Sequence, residues 1–296
     1  MALSRNPGAK ARAQLGWWHA CKWLLLRRLS QLGILVLFLS GPWAGIWIIK
    51  GNLASSLTLD VLPLTDPLLL LQVLVAGHAV ETAAVIGAAI VAGFYFLVGG
   101  RVYCSWVCPV NMVTDAAAWL RTRLGLRNVL RFSRSTRYWV LGLVLLLSLG
   151  TGTLAWELLN PVSLMHRGII FGVGLAWTVI LAVFLLDLFV SERAWCGRLC
   201  PMGAFYSLLA WKSPLRVSAV QRARCDDCMD CFVVCPEPQV IKPALKGAGK
   251  LGPVILSPNC TNCGRCIDVC PEQVFRFDLR IHNELAVEAA QPATGP

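Results

Sequence analysis

Charge is scarce in this chain. Of its 296 residues only 15% are Asp, Glu, Lys or Arg, whereas 56% are hydrophobic, and a soluble globular domain carries roughly a quarter charged residues. An ordinary soluble domain is therefore excluded, and a membrane protein with a polar appendage is indicated. Histidine is also scarce, at four residues, and no Cys-x-x-Cys-His occurs. That excludes covalently attached haem and leaves little for bis-histidine haem. Acidic residues number 16 against 27 basic ones, a net charge of +11. Membrane topology and attraction to anionic lipid account for this surplus, and no nucleic-acid partner is called for. What the chain has in excess is cysteine, 13 residues, clustered in metal-ligand spacing rather than scattered as in a disulfide-stapled secreted fold.

Four apolar stretches are long enough to cross a hydrocarbon core about 30 Å thick, which takes about 20 helical residues. They run approximately over 29–49, 80–98, 138–158 and 169–190. A shorter run, Leu68 to Val75, is bounded by Pro63, Pro67 and Gly77 and reads as interfacial or re-entrant. Lys and Arg number six in 1–28, seven in 100–137 and twelve in 191–296, but one each in 50–79 and 159–168. The positive-inside rule then puts both termini in the cytoplasm of a multi-pass inner-membrane protein. Neither outer loop contains a cysteine, so all 13 lie toward the reducing side. The pair Arg27-Arg28 reads as the charged entrance of an uncleaved anchor rather than an export signal.

The C-terminal third carries the clearest chemistry. Cys225-x2-Cys228-x2-Cys231-x3-Cys235-Pro236 is followed by Cys260-x2-Cys263-x2-Cys266-x3-Cys270-Pro271, the bacterial ferredoxin arrangement twice over. Three closely spaced thiolates wrap one face of a cubane, and the fourth ligates the other cluster. Cys225, Cys228, Cys231 and Cys270 are accordingly assigned to one [4Fe-4S] cluster, and Cys260, Cys263, Cys266 and Cys235 to a second. Structural zinc uses four ligands in two pairs, not two quartets ending in Cys-Pro. Such a domain passes single electrons.

An internal repeat lies upstream. Arg101-x-Tyr103-Cys104-x3-Cys108-Pro109 recurs as Arg193-x-Trp195-Cys196-x3-Cys200-Pro201, with Trp119 and Trp211 at the same offset. The membrane part reads as two duplicated hairpins, each closed by one motif at its cytoplasmic end. Cys104, Cys108, Cys196 and Cys200 could then meet, and Cys108 and Cys200, each before a proline, are expected at helix N-termini, where a thiol pKa falls. These four could ligate another metal centre, act as a redox dithiol, or be small residues at tight turns. The expected organisation is a cytoplasmic basic segment (1–28), a four-helix membrane domain (29–215), a small α+β ferredoxin domain with two [4Fe-4S] clusters (216–280) and a flexible tail (281–296).

Several polar residues fall at membrane depth. His78 and Glu81 head the second apolar helix, Glu157 ends the third, and Asp187, within reach of Arg193, ends the fourth. Of these, His78 is the candidate proton carrier. His166 beside Arg167 reads as solvated. The stripe Ala83, Gly87, Ala88, Ala92 and Gly93 reads as ordinary helix packing.

Over essentially its whole length the chain resembles the NapH family, membrane-bound ferredoxin-type subunits of periplasmic nitrate reductase systems. The resemblance is carried by Gly16-Trp17-Trp18, Leu26-Arg27-Arg28, Ser40-Gly41-Pro42-Trp43, Leu62-Pro63-Leu64-Thr65-Asp66-Pro67, Cys104-Ser105-Trp106-Val107-Cys108-Pro109, Asn160-Pro161-Val162-Ser163-Leu164-Met165 and Cys228-Met229-Asp230-Cys231. It implies a quinol dehydrogenase component that draws on the quinone pool. Electrons would pass through iron-sulfur clusters toward the periplasmic ferredoxin-type G component of the same system and on to the reductase. Quinol oxidation releases protons as well as electrons, which gives His78 its task. The other reading is an iron-sulfur or thiol redox factor for metalloenzyme assembly or copper handling. Relatives in cytochrome oxidase assembly, nitrous oxide reduction or methylamine use are expected to differ by an added extracytoplasmic domain or by lacking these signatures.

Overall fold

The computed structural model describes residues 6–126, 128–130, 132–172, 174–247 and 252–281. All but the first residue of the tail expected over 281–296 lies outside them. The chain divides into two compact units. One comprises Met1–Leu29, Tyr95–Trp106 and Ser207–Pro296, and the other Ser30–Phe94 and Val107–Tyr206.

The first unit is a small α+β domain. Strands Leu215–Ser218 and Arg276–Leu279 pair antiparallel with Leu215 opposite Leu279. Short helices Asp230–Val234, Ile241–Lys246 and Arg265–Asp268 complete the fold. Val217, Ile241, Leu245, Ile255, Val274 and Phe275 form its core together with Cys231, Cys266 and Cys270. An N-terminal arm packs on it. The helix Ala9–Ala44 is interrupted at Gly16 (φ 82, ψ 162), a conformation open essentially to glycine alone, so the arm is two helices joined at an angle. Its fastenings are specific: Gly8 N–H donates to Asp230 Oδ2 (2.9 Å), and Asp268 accepts the backbone N–H groups of Trp23 (3.1 Å) and Leu24 (2.9 Å). The segment 95–106 is fastened too, Ser105 Oγ donating to the Thr261 carbonyl (2.8 Å) and Trp106 Nε1 to that of Asn262 (3.1 Å).

The second unit is mainly helical. Helices Thr82–Val98, Val110–Leu124, Thr136–Thr151, Pro161–Phe171 and Gly174–Leu185 are its main elements. The third expected span stops at Gly152, a left-handed C-cap (φ 65), and residues 155–159 form a separate helix. By length and composition the helix Ala9–Ala44 is able to cross a membrane, and Thr82–Val98, Thr136–Thr151 and Ala176–Val190 are shorter apolar helices.

The two segments expected as short outer loops are folded. Residues 49–65 form a three-stranded antiparallel meander, Ile49–Gly51, Ser55–Thr58 and Leu62–Thr65. Each segment then enters a helix at an Asx-Pro step. The Asp66 side chain accepts the Leu68 N–H before helix Pro67–Val75, and Asn160 accepts the Val162 N–H before helix Pro161–Phe171. Proline at the first helical position forfeits no bond, and the side chain caps a free N–H. The small-residue stripe has a task beyond ordinary helix packing, because Gly87 lies against the backbone of Pro63 and Thr65. Leu53 and Met165, one from each segment, pack on a buried cluster of Val110, Val162, Ile180 and Val183, alongside Cys108 and Trp195.

Candidate metal centres

In the first unit eight cysteines line two separate cavities. One is bounded by Cys225, Cys228, Cys231 and Cys270 together with Phe232, Val269 and Phe275. The other is bounded by Cys235, Cys260, Cys263 and Cys266 together with Val217, Ile241 and Ile255. Each cavity thus draws three cysteines from one loop and the fourth from the other Cys-Pro step.

Two further features test whether the residues fit a cluster. The loops repeat one backbone pattern, in which the residues on either side of the second cysteine are left-handed: Asp227 (φ 57) and Met229 (φ 64) in the first, Asn262 (φ 46) and Gly264 (φ 72) in the second. Alternation of this kind turns backbone N–H groups into a concavity that suits anions and iron-sulfur clusters. The sulfurs also receive backbone N–H groups, from Asp227 to Cys225, Asp230 to Cys228, Asn262 to Cys260, Arg265 to Cys263 and Val274 to Cys270. Both features suit thiolate ligands of a negatively charged group. Among the described residues no three His, Cys, Asp or Glu side chains close on a single ion.

Burial raises thiols in both cages, Cys260 to about 11 and Cys266 well above its ordinary value in the second. Burial pushes the Cys231 thiol up to about 12, and the neighbouring Cys270, Cys228 and Cys225 act in the same direction. Cys263 goes the other way. Burial raises its pKa, but the Arg27 and Arg265 guanidiniums and the hydrogen bonds of Thr261 and Arg265 outweigh burial and hold it below the usual thiol range.

The Cys-x3-Cys-Pro motifs share a local form. Tyr103–Val107 and Trp195–Leu199 are π-helical turns, a form frequent at functional sites, and each leads through Cys-Pro into a helix, Val110–Leu124 or Pro201–Leu209. Cys104 belongs to the first unit, and Cys108, Cys196 and Cys200 to the second. In the second unit these three thiols are close enough to interact. Burial raises the Cys196 pKa well above its ordinary value, Cys108, Asp187 and Cys200 add to the rise, and the Thr114 hydroxyl, 3.6 Å from the sulfur, opposes it.

The other anticipated residues are placed as follows. His78 is exposed, with Nε2 2.8 Å from the Gly152 carbonyl at the end of helix Thr136–Thr151. Glu81 is exposed at the start of its helix, and Glu157 accepts from Asn160 Nδ2 (3.1 Å). Asp187 is buried and accepts the Trp195 N–H (2.9 Å); the ion pairs of Arg193 run instead to Asp115 (3.8 Å) and Glu192 (3.9 Å). His166 is 6% exposed and packs edge-on against Phe38. It is not solvated, because its segment folds back as a helix. Arg27 is 0% exposed, so one of the two charges read as a membrane-entrance pair lies inside the first unit. Sequence reasoning missed Asp66, buried, receiving the Tyr206 hydroxyl (3.4 Å) and held at about 7 chiefly by burial. The Asp-Pro dipeptide signals its capping role but not its burial.

Fold and cages together define an iron-sulfur protein of the ferredoxin type. Residues 80–127 and 173–219 each match the 4Fe-4S binding domain family, and residues 224–281 match the 4Fe-4S dicluster domain family. The chain is 49% identical to the ferredoxin-type protein NapH of Haemophilus influenzae over 93% of this chain and 96% of that one, and 49% identical to NapH of Escherichia coli over 93% and 96%. It is 56% identical to the methylamine utilization ferredoxin-type protein MauN of Paracoccus denitrificans over 94% and 98%. No solved structure matches. The chain belongs to the family of ferredoxin-type electron-transfer proteins that includes NapH and MauN, and carries iron-sulfur clusters. Of the two expected differences from methylamine-linked relatives, an added domain is not found in this MauN, 98% of which is covered by the match to this chain.

Proposed function

We propose that this protein is the quinol-oxidising membrane subunit of a respiratory chain and passes electrons to a periplasmic acceptor. The observation that carries the reading is the pair of four-cysteine cavities in a ferredoxin-type unit on a chain that also has a membrane-length apolar helix. Cys225, Cys228, Cys231 and Cys270 would hold one cluster, and Cys235, Cys260, Cys263 and Cys266 the other. When bound, the clusters supply one-electron steps, which divide the two-electron oxidation of a quinol.

The membrane arrangement belongs to the same proposal. Four spans, built on the apolar helices Ala9–Ala44, Thr82–Val98, Thr136–Thr151 and Ala176–Val190, form two related hairpins in the bacterial inner membrane with both termini in the cytoplasm. Supporting this, Trp139, Leu143, Leu146 and Leu149 are exposed on helix Thr136–Thr151 while Leu141, Val144 and Ser148 are buried, a lipid-facing and a protein-facing side. Hydrocarbon about 30 Å thick would otherwise separate cytoplasmic clusters from a periplasmic acceptor. Leu53 and Met165 belong to the segments proposed to face the periplasm and pack on the same buried cluster as Cys108 and Trp195, which supports a path to the acceptor through protein. On this reading Cys104, Cys108, Cys196 and Cys200 serve that path, and His78 takes up a quinol proton.

The likeness to NapH favours the periplasmic ferredoxin-type G component of a nitrate reductase system as the electron acceptor. A second reading, an acceptor in methylamine use, is favoured by the higher identity to MauN. Anaerobic iron and sulfide quantification with EPR, before and after menaquinol or ubiquinol, tests the core proposal. About eight irons with signals appearing on quinol addition support it, whereas eight irons that quinol cannot reduce overturn it. Complementation of strains lacking NapH or MauN separates the two acceptors.

A further inference from the structure

Four arginines surround the second cysteine quartet, and three of them come from outside its loop. Arg27 lies one helical turn beyond Trp23, on the same face of the arm, and the Trp23 side chain seats on Gly264, where an added Cβ would lie 2.6 Å from its Cγ. That seat fixes the arm beside Cys263, and Arg27, wholly buried, is within electrostatic reach of the Cys263 sulfur and the Asp268 carboxylate. Arg101 is buried and donates from Nη1 to the Asn259 carbonyl (2.8 Å), next to Cys260, and to Glu237 Oε1 (3.0 Å), two residues past Cys235. Arg216, also wholly buried, donates to the carbonyls of Ser213 (3.2 Å) and Ser257 (3.1 Å) and acts on Cys260. Arg265 lies within the loop. The opposing anions in this surrounding are Glu237 and Asp268.

The first quartet has the reverse surrounding. Asp226, Asp227 and Asp230 sit between its three loop cysteines and act on Cys225, Cys228 and Cys270. Asp226 and Asp227 are exposed, as are their cationic partners, Lys10 3.3 Å from Asp226 and Lys246 against Asp227, so the unscreened anion of this surrounding is Asp230, which is buried. Exposed pairs are screened by water and salt, while buried charges act at low effective dielectric. A positive surrounding favours the reduced, more negative state of a cluster, and a negative one disfavours it.

We propose that the quartet Cys235, Cys260, Cys263 and Cys266 holds the higher-potential cluster of the two, and that buried Arg27, Arg101 and Arg216 set the difference. An electron entering the domain then rests on the side against which the N-terminal arm and the segment 95–106 pack. Arg27 is a positioning residue in this scheme, since it acts through Cys263 and its loop. The inference rests on the two-cluster reading above and adds to it an order of potentials.

The test is an EPR-monitored redox titration of the full chain in detergent. Cys228→Ser and Cys263→Ser, which alter the line shape of one signal each, tell which signal belongs to which quartet. The proposal expects the signal altered by Cys263→Ser to titrate at the higher potential. Arg27→Gln should lower that signal alone, by about tenfold in the reduced-to-oxidised ratio at fixed poise, which is 59 mV for one electron. Arg27→Lys should restore most of the shift. Equal potentials, the opposite order, or an Arg27→Gln protein with both signals unmoved would overturn the proposal. If Arg27→Gln loses its iron, the order in the unsubstituted protein still decides. Fewer than two clusters in the unsubstituted protein would overturn the two-cluster reading itself, an outcome distinct from two clusters of equal potential.

Discussion

Arg101 and Glu237 form a buried ion pair, Nη1 to Oε1 3.0 Å, with both side chains 2% exposed. The pair ties the segment before the first Cys-x3-Cys-Pro motif to the residue that follows Cys235-Pro236. Removing one partner leaves an uncompensated buried charge, which typically costs about 3–5 kcal/mol. Glu237→Met should therefore destabilise the domain strongly, and Arg101→Met should do likewise. The double variant should be much less destabilised than the two losses combined. Apparent thermal midpoints in detergent check this, and additive losses would mean that the pair is not coupled.

A Cβ at Gly87 would lie 2.9 Å from the Pro63 carbonyl oxygen and 3.0 Å from the Thr65 nitrogen. Both obstructions are backbone, which cannot swing aside as a side-chain tip can. Gly87→Ala should cost about 1–3 kcal/mol, as overpacking of a filled interior does. Ala92→Gly, on the same stripe, should cost about 1 kcal/mol through helix propensity. A shift in apparent midpoint no larger at Gly87 than at Ala92 would refute the close approach.

How much of this was legible in the sequence depended on the range of the signal. The Cys-Pro quartets announced their own chemistry, since ligand spacing is local. The apolar stretches around 82–98 and 136–151 were readable from hydropathy. The meander over 49–65 was not, because its strands are only three and four residues long and their pairing is tertiary. The burial of Arg27 was not legible for a related reason. Before an apolar run an arginine looks like a topology signal, and nothing within ten residues of it reveals Cys263. Asp66-Pro67 and Asn160-Pro161 carry visible capping chemistry, yet only the fold brings Tyr206 to Asp66.

Asp66 should make stability depend on pH. Burial raises its carboxyl to about 7, the Leu68 N–H and Tyr206 hydroxyl lower it, and Glu157 raises it. The unfolded carboxyl titrates near 3.8, so between about pH 4 and pH 7 the folded state holds the additional proton. Stability then falls as pH rises through that window and levels off above it. The full effect is at most on the order of 4 kcal/mol for a rise from 3.8 to about 7. Asp66→Asn keeps a capping oxygen and should flatten the profile while raising the apparent midpoint at pH 8. An unchanged slope between pH 4 and 7 would place the titrating group elsewhere.

Cys108 and Cys200 directly follow corresponding π-helical turns, and the carbonyl of Cys108 accepts from Gln31 Nε2 at 3.1 Å. If these thiols serve the electron path, Cys108→Ser and Cys200→Ser should abolish quinol-linked nitrate reduction, a loss of roughly 100-fold or more on the scale of an essential redox group. Both ferredoxin-type EPR signals should persist, because neither residue lines the two cavities. Normal quinol-linked activity in either variant would remove the motif from the path.

Gly264 links the second cysteine loop to the N-terminal arm. Its φ of +72 is left-handed, and an added Cβ would meet Trp23 Cγ at 2.6 Å and Cβ at 2.8 Å. Those atoms are the root of the indole side chain, so the arm itself would have to shift. The Trp23 and Leu24 N–H bonds to Asp268 would go with it. Gly247 is the control: its φ is +61, but its nearest neighbour, at 3.1 Å, is the flexible tip of Arg222. Gly247→Ala should cost only the left-handed penalty, about 1–2 kcal/mol, and keep both clusters. Gly264→Ala should lose roughly half the iron, with the signal assigned through Cys228→Ser surviving and the one assigned through Cys263→Ser absent. Equal iron contents in the two variants would mean that the arm does not hold the second loop in place.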